Sequence, residues 1–239
     1  MDVLFFHNFF ASNALSPCYI KSMSRVPHAK EEILSFEKED EPDALERSED
    51  TALMQKVRHG DMDAFQVLVE RHQERVVGTI AKMLGDRFEA EDIAQTVFIR
   101  VWKSAARYRP TARFTTWLLT ITRNLVFNEM RRRHRHPVDA METEEMPLGA
   151  HGRHADSSVV SPAVHLQMME LEDAIETAIA LLPEPQRMTL ILRRYEELPY
   201  EEIAKVMGTS IPAVKSLLFR ARKELQKLLA GYLASDRGS

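Results

Sequence analysis

The 239-residue chain is poor in cysteine, in glycine and in long apolar runs. Its single cysteine, Cys18, excludes an intrachain disulfide and a thiolate zinc cluster, and is consistent with a reducing compartment. Eight glycines, with no glycine-rich phosphate loop among them, argue against a nucleotide enzyme. No apolar stretch approaches the ~18 residues of a membrane-spanning helix. Positive charge is also in short supply, with 32 Lys+Arg against 36 Asp+Glu and a net charge of -4, so the whole-chain average suggests no nucleic-acid partner. What is present, 44% hydrophobic and 28% charged residues, is the balance of a soluble globular protein.

Partitioned along the chain, the same charge points toward nucleic acid instead. Residues 1–50 hold 5 basic and 11 acidic residues, whereas residues 51–135 hold 16 basic and 9 acidic, a net +7. Residues 136–168 return to a net -4, and residues 169–239 are near neutral at -1. From Arg100 to Arg135 there are ten basic residues and one acid, Glu129. Such a block reads as a polyanion-binding surface.

The organisation follows the same divisions. Residues 1–50 read as an acidic, mostly disordered extension; its apolar MDVLFFHNFF start lacks the cationic end of a secretory signal, and Met23 offers an alternative start. From Thr51 the periodicity is helical. Leu53 and Val57 precede Gly60, and Asp61 caps a helix with Phe65, Leu68, Val69, Val76 and Ile80 on one face. After Gly85 a second helix carries Ile93, Val97, Phe98 and Val101, and a third spans about Thr115 to Arg133. Residues 136–165 lack periodicity and are rich in Pro, Gly, Ser and acids, the composition of a linker. Ser161 and Pro162 suit the start of the next helix, and Pro183 and Pro185 end it. The expectation is an all-α chain of two small helical domains joined by a flexible linker, at 51–135 and 166–232, with a tail at 233–239.

The stretch PYEEIAKVMGTSIPAVKSLLFRARKELQKLL has the order of a helix-turn-helix: a short helix, a turn at Gly208, a Ser210 cap and a long helix. Val214, Leu218, Ala221, Leu225 and Leu228 make one buried stripe of that helix. Lys215, Ser216, Phe219, Arg220, Arg222 and Lys223 face the other way, as a major-groove reader requires. The competing reading is an ordinary hairpin with a solvated charged face.

In the N-terminal domain Tyr108, Phe114, Trp117 and Phe127 are interleaved with arginines, a mixture suited to stacking unpaired bases while holding phosphates. Trp117, Leu118 and Ile121 also have core spacing, so Thr122 and Asn124 are better candidates for hydrogen bonds to a base, and Arg131, Arg132 and Arg133 for phosphates. On the preceding helix Asp92, Gln95, Thr96, Arg100 and Lys103 form a polar side. Phe98 and Trp102 add apolar area that either the core or a protein partner could take up.

Three blocks together carry a family resemblance: EDIAQTVFIRVWK at 91–103, FTTWLLTITRNLVFNEMRRR at 114–133 and LPYEEIAKVMGTSIPAVKSLLFRARKEL at 198–225. In this order and spacing the chain resembles the extracytoplasmic-function sigma factors of the sigma-seventy family. The resemblance implies a subunit that brings bacterial RNA polymerase to promoters, melts them and starts transcription. By position, Asp92, Gln95, Phe98 and Trp102 would meet the beta-prime clamp helices of core polymerase. Arg113, Phe114, Thr116, Trp117, Arg123, Asn124, Arg131 and Arg132 would open and read the minus-ten element. The C-terminal domain would dock on the beta flap and read the minus-thirty-five element through Lys215, Ser216, Phe219, Arg220 and Lys223. An anti-sigma factor is a further candidate partner, no cofactor is implied, and the expected location is the bacterial cytoplasm, on the nucleoid when polymerase-bound. Leu217 departs from the family, which often has Arg there.

Two other classes compete. A dimeric helix-turn-helix regulator would leave the aromatic, basic segment unexplained. A metal hydrolase using His134, His136, His151 and His154 would lack carboxylates at ligand spacing. No residue set demands hydrolysis or group transfer.

Overall fold

The computed structural model describes residues 44–110, 112–135 and 162–230. The expectations for residues 1–43, the linker up to residue 161, the histidines at 136, 151 and 154, and the tail from 231 lie outside them, while residues 162–165, expected in the linker, already belong to a helix. Every regular element among the described residues is helical: α1 (Ala44–Arg58), α2 (Met62–Leu84), α3 (Arg87–Ser104), α4 (Phe114–Arg135), α5 (Pro162–Ala180), α6 (Glu184–Arg194), α7 (Tyr200–Met207) and α8 (Ile211–Leu228), with a 3-10 turn at Ala105–Arg107.

Local chemistry sets the helix ends. Asp61 accepts a hydrogen bond from the Ala64 amide at 2.9 Å and starts α2, and Asp86 accepts from the Glu89 amide at 3.1 Å and starts α3. Between them α2 stops at Gly85, whose φ of +79° lies in the left-handed region. One face of α2 then buries Phe65, Leu68, Val69, Val76, Ile80 and Met83 against Val97, Phe98 and Val101 of α3 and Phe114, Leu118, Leu119 and Val126 of α4.

The ordered domain begins earlier than the boundary at residue 51 that composition suggests. Helix α1 already runs from Ala44, and Asp50 within it is 2% exposed. Its carboxylate accepts from Arg71 at 2.7 Å and lies 2.8 Å from Nε2 of the buried His72, while Glu49 takes the second arm of Arg71 at 3.1 Å. Acids that composition assigns to a disordered extension thus tie α1 to α2.

The second domain packs α5 to α8 around Ile179, Leu182, Met188, Ile191, Leu192, Ile203, Val206, Val214, Leu218 and Ala221. Gly208, at φ +64°, makes the turn between α7 and α8, and the Ser210 hydroxyl accepts from the Ala213 amide at 3.4 Å.

The two domains also pack on each other, with α6 against α2 and α7 against α4. Arg75 of α2 pairs with Glu196 in the α6–α7 loop at 3.0 Å, and Thr79 donates to the same carboxylate at 2.8 Å. Thr116 of α4 donates to Glu202 of α7. Arg123 donates to the Val206 carbonyl at 3.1 Å, and Arg187 of α6 to the Met83 carbonyl at 2.7 Å.

Candidate nucleic-acid interface

Helix α8 presents its basic face without obstruction. Val214, Leu218 and Ala221 are buried, a stripe narrow enough to leave Lys215, Arg220 and Lys223 exposed and Ser216 half-exposed. Phe219 is 68% exposed, an aromatic ring standing in solvent among cations. Leu217 is half-buried beside that face.

Helix α4 is built the other way. Phe114 is 1% exposed, and its ring contacts Tyr108, Trp117 and His72 at centroid distances of 6.3, 6.0 and 5.2 Å. Burial on this scale corrects the expectation that Phe114 stacks on a base: the ring is core, and its removal from water holds α4 to α2. Trp117 is half-buried edge-on to Tyr108 at 5.0 Å. Thr116 is 2% exposed and committed to Glu202, and Arg123 is committed to Val206, so both lie under α7 in this arrangement. Arg113, half-buried, has its charge close to Glu202. Thr122 is fully buried and bonds back to the Leu118 carbonyl at 3.0 Å, which removes it as a base contact. Asn124, Arg131 and Arg132 remain exposed, Arg131 bonding to Asn128 at 2.7 Å and Arg132 gripping Glu129.

On α3 the expected partner surface is only partly present. Asp92 is exposed and Gln95 half-buried, but Phe98 is 0% exposed and sits in the core, so it cannot meet a partner. The surplus apolar area at 98 and 102 is taken up internally: the half-buried Trp102 stands edge-on to Phe65 at 5.1 Å.

The end of α3 and the 3-10 turn after it supply cations that the basic block from Arg100 to Arg135 marks only collectively as a polyanion-binding surface. Arg100, Lys103, Ser104 and Arg107 join Ile121 and Asn124 of α4 around an open cleft of about 310 Å³. Three cations, one hydroxyl, one carboxamide and an apolar wall are groups that suit a nucleotide: donors for phosphate, a two-way hydrogen-bonding edge and a surface for a base. The spacing 100, 103, 104, 107 was legible as one helical face, but nothing in the sequence said that Asn124 faced it.

Two carboxylates at the domain boundary are shifted in opposite directions. Burial pushes Glu196 above the usual carboxylate range, against the pull of Arg75, Thr79 and Lys82. Burial also acts to raise Glu202, but hydrogen bonds from Lys205 and Thr116 and the charges of Lys205 and Arg113 outweigh it and bring the group below that range. Among the described residues there is no cluster of three or more His, Cys, Asp or Glu suited to a metal ion, and no helix long and apolar enough to cross a membrane.

This arrangement of helices matches known proteins over most of its length. The family model for sigma-70 region 2 matches residues 68–136, and that for sigma-70 region 4 matches residues 172–225. The RNA polymerase sigma-H factor of Pseudomonas aeruginosa is 36% identical over 185 residues, covering 77% of this chain and 96% of that one. The chain belongs to the sigma-70 family, within its extracytoplasmic-function group. The ECF RNA polymerase sigma-E factor of Haemophilus influenzae is 32% identical over 185 residues, covering 76% of this sigma factor and 95% of its relative. Among solved structures, the sigma factor RpoE in complex with the anti-sigma factor NepR, from Bartonella quintana, shares the fold at a TM-score of 0.54 and 23% identity, covering 70% of this chain and 96% of that one. This sigma factor is accordingly a specificity subunit of transcription initiation that binds core RNA polymerase and promoter DNA. Its region 2 holds the basic cleft and the covered face of α4, and its region 4 holds the open face of α8.

Proposed function

We propose that the cleft between α3 and α4 captures a nucleotide of the melted minus-ten strand, with Asn124 reading the base edge and Arg100, Lys103 and Arg107 holding its phosphates. The observation that carries this reading is the convergence of those four side chains on one open cavity. Opening a duplex loses stacking, and a cleft that binds only an extruded base returns that energy without any hydrolytic step. The protein accordingly works by binding, as a non-enzymatic subunit with no cofactor. Arg113, Thr116, Trp117, Arg123, Arg131 and Arg132 extend the minus-ten surface along α4. Lys215, Ser216, Phe219, Arg220 and Lys223 enter the major groove at the minus-thirty-five element, α8 crossing the groove N-terminal end first. Asp92 and Gln95, with the exposed edge of Trp102, form the contact with the polymerase clamp helices, and the C-terminal domain docks on the flap.

The domains are 51–135, extended back to Ala44, and 166–232, extended back to Pro162 by the start of α5, flanked by the acidic extension, the remaining linker and the 233–239 tail. A cytoplasmic location, on the nucleoid when polymerase is bound, follows from these partners. An anti-sigma factor is a further partner, supported by the solved relative bound to one.

Run-off transcription with purified core polymerase on a promoter library tests the reading. Promoter-specific initiation is expected from the native protein. Asn124→Ala should reduce initiation on duplex promoters and on templates with a pre-melted minus-ten strand alike, since base capture is lost in both. If core polymerase gains no specificity while the free protein binds duplex DNA tightly, the regulator reading wins.

A further inference from the structure

We propose that Tyr200 is a positioning residue for minus-thirty-five recognition, its ring holding the Lys215 ammonium in the pose that meets the edge of a base pair. The lysine Nζ lies 5.6 Å from the centroid of that ring, and the Arg193 guanidinium lies 5.2 Å from it. At such distances the negative face of an aromatic ring attracts a cation. One side chain thereby links the last turn of α6, the first residue of α7 and the N-terminal part of α8. Its own place is well fixed. Pro199, at φ -67° and ψ 158°, feeds Tyr200 into α7 from extended backbone, and the half-buried ring packs against the apolar core. Arg193 is pinned in turn by donating to the Leu198 carbonyl at 3.0 Å.

Other lysines of the same domain are held differently. Lys205 pairs with Glu202 at 2.8 Å and Lys227 with Glu224 at 2.9 Å, so each spends a donor and its charge on a carboxylate. Lys215 is exposed and, among the described residues, makes no ion pair. A ring limits where an ammonium can go, yet it offers no lone pair to take up the three N–H donors. The charge that must meet DNA is therefore oriented without being neutralised. Lysine has a long flexible stem, and ordering it before contact removes part of the entropy cost of docking. In the major groove the acceptors that suit a lysine are O6 and N7 of guanine, so the pose selects a guanine under the N-terminal half of α8. The inference rests on the reading of α8 as the minus-thirty-five helix and deepens it, by naming the residue that aims one of its side chains.

The test reconstitutes full-length variants with core polymerase and selects promoters from a library randomised across the minus-thirty-five element. Lys215→Ala should flatten the preference for guanine at one base pair, which identifies the pair that this lysine reads. Tyr200→Leu should weaken the preference at that same pair on the order of threefold and leave the other positions as they are. Tyr200→Phe keeps the ring and should retain the native preference. Tyr200→pentafluorophenylalanine keeps the shape of Phe but withdraws charge from the ring face, so it should behave like Tyr200→Leu, with the melting temperature unchanged. In the Lys215→Ala background none of these changes should have a further effect. The proposal is overturned if the fluorinated ring behaves like Phe, if Tyr200→Phe loses as much as Tyr200→Leu, or if Tyr200→Leu weakens all positions equally. If Lys215→Ala flattens no position, the base-reading role of Lys215 itself fails; if it flattens one that Tyr200→Leu leaves intact, the positioning role alone does.

Discussion

Helices α4 and α8 are both basic and both assigned to the same polyanion, yet they keep their aromatic residues in opposite places. Helix α4 turns Phe114 into the core and has Thr116 and Arg123 under another helix, whereas α8 holds on by Val214, Leu218 and Ala221 and leaves Phe219 in solvent. A helix anchored by a narrow stripe can present most of its circumference to a ligand at once. A helix packed on two sides presents fewer of its side chains, as Thr116 and Arg123 of α4 show by their bonds to α7.

The sharpest way to break this contrast is to truncate one ring on each helix. Phe114→Ala should cost about 3–5 kcal/mol of stability, as core aromatic truncations do, with a matching fall in melting temperature. Phe219→Ala should stay within about 0.5 kcal/mol of the native protein while weakening binding to minus-thirty-five duplex. Equal melting shifts would erase the distinction. Next in size, Lys215→Ala with Arg220→Ala should cost about 1–3 kcal/mol of promoter affinity for each base-reading side chain removed, with core-polymerase affinity and melting unchanged. A parallel fall in core affinity in a pull-down would show that α8 does more than read DNA. Smaller again, Ser210→Ala should cost about 1 kcal/mol by exposing the first turn of α8, seen in the denaturation midpoint.

The smallest effect is on the packing of the two domains and follows from the two boundary carboxylates. Burial outweighs the pull of Arg75, Thr79 and Lys82 on Glu196, so it is proton uptake by this carboxyl that favours the packed domains, fully below the ordinary 4.5 and fading as the pH rises through the raised value. The lowered value of Glu202 works in the other window: its contribution is present above 4.5 and is lost as the pH falls through that lowered value. The groups facing Glu196 are Arg75, Thr79, Lys82 and Glu197. The radius of gyration should therefore be smallest near pH 4.5, and Glu196→Gln should flatten only the high-pH limb. Persistence of that limb in the variant would reassign it to another group.

Much of this was legible in the residue order alone, for reasons that differ by element. Asp61, Gly85, Gly208 and Ser210 act locally, through caps and positive φ angles, so the helix ends they set can be read from short windows. The stripe of α8 was legible at Val214, Leu218 and Ala221, which the domain buries, but Leu225 is only half-buried and Leu228, expected in the same stripe, is 41% exposed beyond the end of the packing. Phe98 was ambiguous, since helical spacing shows that a face is apolar and cannot say whether core or partner covers it. Thr116 and Glu202 are 86 positions apart and Thr79 and Glu196 are 117 apart, and no periodicity links such positions. The cleft depended likewise on how α3 and α4 cross, which placed Asn124 opposite Arg100 and Arg107.

Arg187 gives the packing of the two domains a thermodynamic consequence. Its guanidinium serves the carbonyls of Ala180 and Leu182 in its own domain and that of Met83 near the end of α2 in the other. One side chain therefore completes hydrogen bonding at helix ends on both sides of the boundary. Separation of the domains would hand the Met83 carbonyl to water and loosen the last turn of α2. Heat should accordingly melt the closed chain in a single calorimetric transition, and hydrogen exchange at the end of α2 should report the moment of opening before any change in the core.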